Sequence, residues 1–460
     1  MVDWAIEQSY APFLEAALKS KKFKFSAHYS GWLLEYIRTH RKDVFDNLKK
    51  LSDDGRVEFF TGGFYEPILS SIPSDDRRGQ IKMLSDYIQN HFGRKPAGLW
   101  LTERVWDPAI IPDLYECGVR HAIVDDYHLI AAGFPKESLT GYFRTEQDGY
   151  PLNIFPIDMG LRYLIPFKPE DAVVRYILDA KSRNVKLISC FDDGEKFGIW
   201  PDTYEWVYKK GWLKRFMKAV EQEKEIEFMH YEEAAEKFKP SGIAYLPITS
   251  YEEMGEWSLF SDQTERFDAM KDFMKTTPFA DDTQRFLKGS VWKNFLVKYP
   301  ESNRLNKRTT DLSLRGREYK SDKKFLDALY RSQCNDSLWH GVFGGLYLPN
   351  LRNNAWASLI DAETQYERLA GIKIPSMEIY DIDRDGFDEI YARNNDFNCM
   401  FVSRDFGQMT TLELKKEKFN LLNVISRKKE AYHKKLLKNI KSGDHIEESG
   451  SAAESIHDKT

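Results

Sequence analysis

The sequence predicts an α/β fold: a TIM-like barrel first, then a helical region, then the start of a β-sandwich. Short apolar runs alternate with helix-period segments over roughly the first 260 residues, the pattern of a parallel sheet or barrel. From about Phe267 to Ala370 the periodicity is helical throughout. After Pro375 come short strand-like segments, too few to complete a sandwich.

Taken in order, Trp4 to Leu18 has apolar residues at helical spacing, so the sequence opens in a helix. Phe23 to His28 alternates as a strand does, and Leu33 to Leu51 reads as one helix. Val57 to Phe60 is a strand running into Thr61-Gly62-Gly63-Phe64-Tyr65-Glu66-Pro67, whose glycines and proline mark a tight loop. Asp75-Asp76 open a helix through His91, their charges placed well at its N-terminus. The apolar run Ala97 to Leu101, a helix from Ile110 to Cys117 stopped by Gly118, and a strand from His121 to Val124 follow. Tyr142 to Arg144 and Leu152 to Phe155 are hairpin-like. A helix (Pro169 to Ser182), a strand (Val185 to Phe191), a helix (Tyr204 to Gln222) and a strand (Ile243 to Leu246) complete the first pattern. Phe286 to Lys298 and Lys323 to Gln333 are expected as long helices, with the Gly- and aromatic-rich stretch Trp339 to Pro349 interrupting that region. Strands are expected at Met377 to Tyr380, Phe387 to Ala392, Cys399 to Val402 and Thr410 to Leu414.

The 460 residues balance 67 Lys+Arg against 72 Asp+Glu, which argues against a nucleic-acid partner. No run of about 18 apolar residues predicts a membrane span, and no signal peptide is visible at Met1. Cys117, Cys190, Cys334 and Cys399 are widely spaced, and read as reduced, buried thiols of a cytoplasmic protein. Aromatic residues make up 14%, which suits a large core and equally a sugar ligand that stacks on flat rings. The sequence sets no oligomeric state, and a homodimer is open.

Two carboxylate clusters remain unexplained by packing. Trp100-Leu101-Thr102-Glu103-Arg104-Val105-Trp106 ends an apolar run in an acid and a base, at the strand end where parallel-sheet proteins place their chemistry. An ordinary Glu103–Arg104 ion pair would also explain it. Asp192-Asp193-Gly194-Glu195-Lys196-Phe197-Gly198 follows a second apolar run, and an Asp-Gly turn is its plainer reading. Two carboxylates at separate strand ends can face one cleft and break a glycosidic bond, one as nucleophile and one as proton donor. No H-E-x-x-H or close histidine pair occurs, which counts against a metal-dependent deacetylase. Asp381, Asp383 and Asp385 alternate before Gly386, a pattern suited to Ca²⁺; Ala392 at the twelfth position rules out an EF-hand, and an acidic hairpin loop is the alternative.

The two carboxylate motifs resemble signatures of glycoside hydrolase family 57, in particular its 4-α-glucanotransferase and α-amylase-like members. Gly62 to Ile68, Glu252 to Trp257, Lys298 to Asn303 and the Trp339 to Pro349 stretch resemble the family as well, so the likeness spans about residues 3 to 435. The resemblance implies a (β/α)7 barrel, a helical region packed on it and a C-terminal β-sandwich. It implies a retaining transferase or hydrolase of α-1,4-glucans (maltooligosaccharides, starch or glycogen) that needs no cofactor for catalysis. Carried over by position, Glu103 is the nucleophile and Asp193 the acid/base, with Asp192 the second choice for that role. Arg104 would favour an ionised Glu103 if its side chain turns inward. Glu66, Trp100, Arg104, Trp106, Trp200, Glu256, Trp257, Trp339 and His340 are the expected substrate-binding residues, although each tryptophan has a core role as its plainer reading. Family members begin with a strand bearing His-Gln-Pro, a tripeptide this sequence lacks. The expectation is therefore a barrel without its first strand, in a chain truncated at both ends. Residues 1–265 would form the incomplete barrel, 266–372 the helical region, 373–435 the start of the sandwich and 436–460 a disordered tail. An inactive fragment or a carbohydrate-binding scaffold is the alternative.

Overall fold

The computed structural model describes residues 2–341, 344–404, 406–430 and 433. The expected tail at 436–460 lies outside them, as do Val342 and Phe343 of the Trp339 to Pro349 stretch. The opening helix is Val2–Ala5, Ile6–Tyr10 and Ala11–Lys19, and its middle turn is a π turn.

Six strands form the first sheet: β1 (Phe25–His28), β2 (Val57–Thr61), β3 (Gly98–Leu99), β4 (His121–Asp125), β5 (Phe143–Gln147) and β6 (Tyr150–Ile157). Their order is β1-β2-β3-β4-β6-β5. The first four and β6 run parallel, with Phe25 opposite Val57, Phe60 opposite Gly98, Gly98 opposite His121 and His121 opposite Asn153. β5 is the antiparallel arm of a hairpin with β6.

Strand periodicity sorts the side chains into two layers. Phe60, Ile123, Phe155 and Ile157 point to an inner cluster that also takes in Trp100, Phe191 and Tyr231. Their neighbours Val57, Phe59, Ala122, Val124, Leu152 and Ile154 point outward into clusters shared with the surrounding helices. An apolar inner layer ringed by helices is the packing of a barrel. β1 pairs with β2 alone among the described residues.

The sequence expectations fail at five places in this fold, one being the expected Tyr204 to Gln222 helix, which Gly211 at φ 72° divides into Glu205–Lys209 and Trp212–Gln222. Val185 to Phe191 forms no ladder: among the described residues Val185 N–H to Ala180 O (3.0 Å), Lys186 N–H to Thr140 O (3.0 Å) and Asp158 N–H to Ser189 O (2.8 Å) tie it to other backbone. Its apolar character serves the inner cluster instead. Ile243 to Leu246 keeps a single bridge, between Arg144 and Ile243. The expected Leu33 to Leu51 helix is two, Gly31–His40 and Lys42–Asp53, broken where Arg41 adopts φ −134°, ψ 62°. Phe286 to Lys298 is not continuous helix either, because Gly289 crosses Gly255 backbone to backbone, with Ser290 N–H bonded to Gly255 O at 2.9 Å.

The helices Pro300–Arg315, Lys323–Ser332 and Pro349–Leu369 make up most of the next region. An antiparallel sheet follows: β7 (Ser376–Tyr380), β8 (Glu389–Arg393), β9 (Phe397–Val402), β10 (Met409–Leu414) and β11 (Phe419–Asn420), in sequential order. Buried Arg308 joins this sheet to the helices, donating to Glu363 at 2.5 Å and to Glu413 on β10. The four cysteines are unbridged, as expected, but each is partly exposed rather than buried. Among the described residues no helix is long and apolar enough to cross a membrane.

Candidate active site

The candidate residues gather at the carboxyl ends of the parallel strands. β1 ends in His28, β2 leads to Glu66, β3 leads to Glu103 and β4 ends in Asp125. Three of the non-glycine residues with left-handed backbone lie here: Glu66 (φ 54°), Glu103 (φ 53°) and Arg104 (φ 49°). Such backbone costs of order 1 kcal/mol or more per residue, and clusters where side-chain placement matters more than relaxation.

Glu103 is held from two directions. Tyr251 donates its hydroxyl to Oε2 at 3.0 Å, and Ser250 donates its hydroxyl to the Glu103 carbonyl at 2.5 Å. Burial pushes the Glu103 carboxyl up to about 7, against the pull of the Arg104 guanidinium and with a push from Asp193. The expected influence of Arg104 is present, but desolvation outweighs it. Arg104 lies 4.5 Å above the Tyr251 ring and 5.7 Å from the Trp100 ring, and its Nε is 3.4 Å from Asp125. Arg104 is thus buried beneath the cleft.

The two neighbouring aspartates are treated oppositely. Asp192 is pinned by Arg162 at 3.1 Å and by Lys196, which outweigh its burial and hold its carboxyl low. Asp193 makes no side-chain ion pair among the described residues. It reaches water, yet surrounding protein removes much of the solvent around it. That desolvation, followed by the Asp192 charge, pushes it up. The Asp193 charge reaches Glu103, and Arg104 acts on both carboxyls, so the two lie near one another.

The Asp193 loop rests on the opening helix. Ser9 donates to the Gly194 carbonyl and Tyr10 donates to Glu195, both at 2.6 Å. A Cβ on Gly198 would stand 2.0 Å from the Gln8 carbonyl oxygen, so the loop meets helix backbone directly. The π turn at Ile6–Tyr10 presents these residues, in keeping with the frequency of such turns near functional sites.

The remaining expected residues divide. Glu66 accepts from Thr102 at 3.0 Å and lies 2.6 Å from His28 Nε2. Trp100 stacks on Phe191 at 5.0 Å. Trp257 and Trp339 lie nearly parallel, 6.5 Å apart and half-buried. Trp200 packs on Phe167, near Lys196. Glu256 is tied to Lys271 at 2.5 Å. Trp106 and His340 are 0% exposed, which corrects their place as sugar contacts. Trp106 fills the outer core, and His340 is enclosed beside Tyr299 at 3.1 Å.

Several cleft residues escaped the sequence reading. Tyr251 immediately precedes the Glu252 to Trp257 stretch, a position that could have flagged it. Asp336 comes from the helical region; burial and then the Glu66 charge push it up, and it acts in turn on Glu103. Nothing in its local sequence signals this. Arg162 likewise emerges from the packing alone, whereas Glu195 and Lys196 lie in the Asp192 to Gly198 motif and their contacts with Tyr10 and Asp192 are what the sequence does not signal.

Comparison with known proteins agrees with this arrangement. Residues 3–247 match the model of glycosyl hydrolase family 57. Residues 290–366 and 381–460 match the middle and C-terminal domains of alpha-amylase/4-alpha-glucanotransferase. The chain is 42% identical over 434 residues to an alpha-amylase of Pyrococcus abyssi, covering 94% of this chain and 65% of that one. It is 40% identical over 459 residues to a 4-alpha-glucanotransferase of Thermococcus kodakarensis, covering 100% and 68%. The crystal structure of 4-alpha-glucanotransferase from Thermococcus litoralis superposes with a TM-score of 0.89 at 40% identity, over 96% of this chain and 68% of that one. A GH57 branching enzyme from Thermococcus kodakaraensis shares the fold at a TM-score of 0.53 and 15% identity, over 82% and 88%. The chain spans about two thirds of the length of the curated relatives it matches. On its barrel, its helical region and these matches together, the chain belongs to glycosyl hydrolase family 57.

Proposed function

We propose that the barrel cleaves α-1,4-glucan with retention, carrying the sugar on Glu103 before passing it to a second sugar or to water. One observation carries the reading: Asp192 is held ionised by Arg162 and Lys196, while its neighbour Asp193 is left with raised proton affinity in the same cleft as Glu103. In the first step a Glu103 oxygen attacks the anomeric carbon as Asp193 gives its proton to the leaving oxygen. In the second, the Asp193 carboxylate takes the acceptor's proton, the acceptor attacks, and the bond to Glu103 breaks. Tyr251 and Arg104 favour the ionised nucleophile; Trp100, Trp257 and Trp339 offer ring faces to glucose units. Two of the relatives are named 4-alpha-glucanotransferase and alpha-amylase, activities that differ only in the acceptor.

Incubation with maltotriose tests the proposal. Longer oligomers mean transfer, shorter products alone mean hydrolysis, and no product from the folded chain overturns it. Asp193→Asn is expected to lose about 10²–10⁴-fold in turnover while keeping its fold. Asp192→Asn leaves two cations short of a partner and is expected to lose stability, by roughly 3 kcal/mol. Azide added to Glu103→Ala should restore cleavage and yield the glycosyl azide of inverted configuration. Azide rescue with retained configuration in Asp192→Ala and not in Asp193→Ala would move the acid/base role to Asp192.

A further inference from the structure

We propose that the β7–β8 hairpin holds one calcium ion, bound by Asp381, Asp383, Asp385 and Glu389. One carboxylate oxygen from each of the three aspartates lies within 4.8 Å of the others. Oxygens on opposite sides of a Ca²⁺ ion, each about 2.3–2.6 Å from it, stand roughly 4.6–5.2 Å apart. The separation therefore admits an ion among them.

Two buried oxygens supply the independent observation. Asp383 is 4% exposed and its Oδ1 has no hydrogen-bond partner among the described residues. Glu389 is 0% exposed, and its Oε1 likewise lacks one. The other Glu389 oxygen accepts from the Ile382 and Asp383 backbone N–H groups at 2.8 and 3.3 Å, which fixes the carboxylate against the hairpin. A buried carboxylate oxygen left unsatisfied is costly, and a cation is the partner that answers its full charge.

The charge balance points the same way. Around Asp383 and Glu389 stand Asp381 and Asp385 and the guanidinium groups of Arg304 and Arg404, with Arg404 paired to Asp385 at 2.6 Å. With Lys307 also near Asp383, four carboxylates face three cationic groups and stay in excess. The ligands are all oxygen, which suits Ca²⁺. Gly386, at φ 92°, turns the chain so that its own N–H and that of Asp385 bond Asp381, at 3.0 and 3.1 Å. Such bonding orients the aspartates and leaves the Asp383 oxygen free.

The ion would fasten a seam. Asn303, on the helix Pro300–Arg315, donates to the Asp383 carbonyl at 3.3 Å, and Arg384 reaches Asp311 on the same helix at 3.7 Å. Calcium would thus hold the C-terminal sheet to the helical region, outside the cleft.

The test uses the whole chain, stripped with EDTA and dialysed. Calorimetric titration with Ca²⁺ should show one equivalent bound. The thermal midpoint should rise by roughly 2–4 °C at saturating Ca²⁺, with Mg²⁺ giving a smaller shift at equal concentration. Amide exchange should slow in the segment 376–393 and not around Glu103. Asp383→Asn should abolish the uptake and the calcium-dependent shift. No uptake at 10 mM Ca²⁺ overturns the proposal. So does uptake that leaves exchange in 376–393 unchanged, a readout that needs no variant to fold.

Discussion

Glu103 is half-protonated near neutrality, because its carboxyl is pushed up to about 7. The nucleophile must be ionised, so kcat/KM on maltotriose should rise with pH through about 7. Tyr251→Phe removes the hydroxyl that favours the ionised form, and should move this rising limb upward by roughly one unit. A pH–rate profile of parent and variant checks both; a limb centred near 4.5 in the parent would show that burial does not raise the Glu103 carboxyl. The same shift has a structural face. A carboxyl with folded-state affinity above its unfolded value of 4.5 gives stability below that value and withdraws it as pH rises toward about 7. Glu103 and the Asp192–Asp193 pair stood out in the sequence because acids after an apolar run are hard to explain by packing, whereas the choice of Asp193 came from the family resemblance. Their electrostatics were not legible: Arg104 stands next to Glu103 in sequence, but the depth of the cleft, which decides the outcome, is set by residues far along the chain.

The crossing of Gly255 and Gly289 shows how one contact places Tyr251, the partner of Glu103. A Cβ on Gly289 would stand 2.2 Å from the Gly255 carbonyl carbon, with nowhere for backbone to move. Gly289→Ala should cost about 1–3 kcal/mol in urea unfolding. It should also lower kcat, because the displaced helix Glu252–Ser258 begins directly after Tyr251. Full stability with full activity would show that the crossing is slack. Strands and helices with clear periodicity were readable, as at β2, β4 and Ser74–Phe92. The Val185 to Phe191 error has a physical source. An apolar run states that side chains are buried, and says nothing of whether a neighbour offers backbone groups to pair with.

The three regions meet through buried charge as well as apolar packing. Arg308 is 3% exposed and serves Glu363 and Glu413 together, while Tyr391 and Asn398 supply further donors at 3.0 and 3.2 Å. Arg308→Met would strand two buried carboxylates and should cost about 3–5 kcal/mol in equilibrium unfolding. A neutral result would mean that the sheet is held by apolar contacts alone. The order of the regions was readable from periodicity, but this junction was not, since Arg308 lies 55 residues from Glu363 and 105 from Glu413 along the chain. The same separation governs the cleft. Glu103 is steadied by Ser250 and Tyr251, whereas the Asp193 loop leans on Ser9, Tyr10 and Gln8 of the opening helix. Glu103 and Asp193 therefore answer to different stretches of chain. On the proposed roles, changes in the opening helix would act first on proton delivery by Asp193, and on Glu103 only through the Asp193 charge.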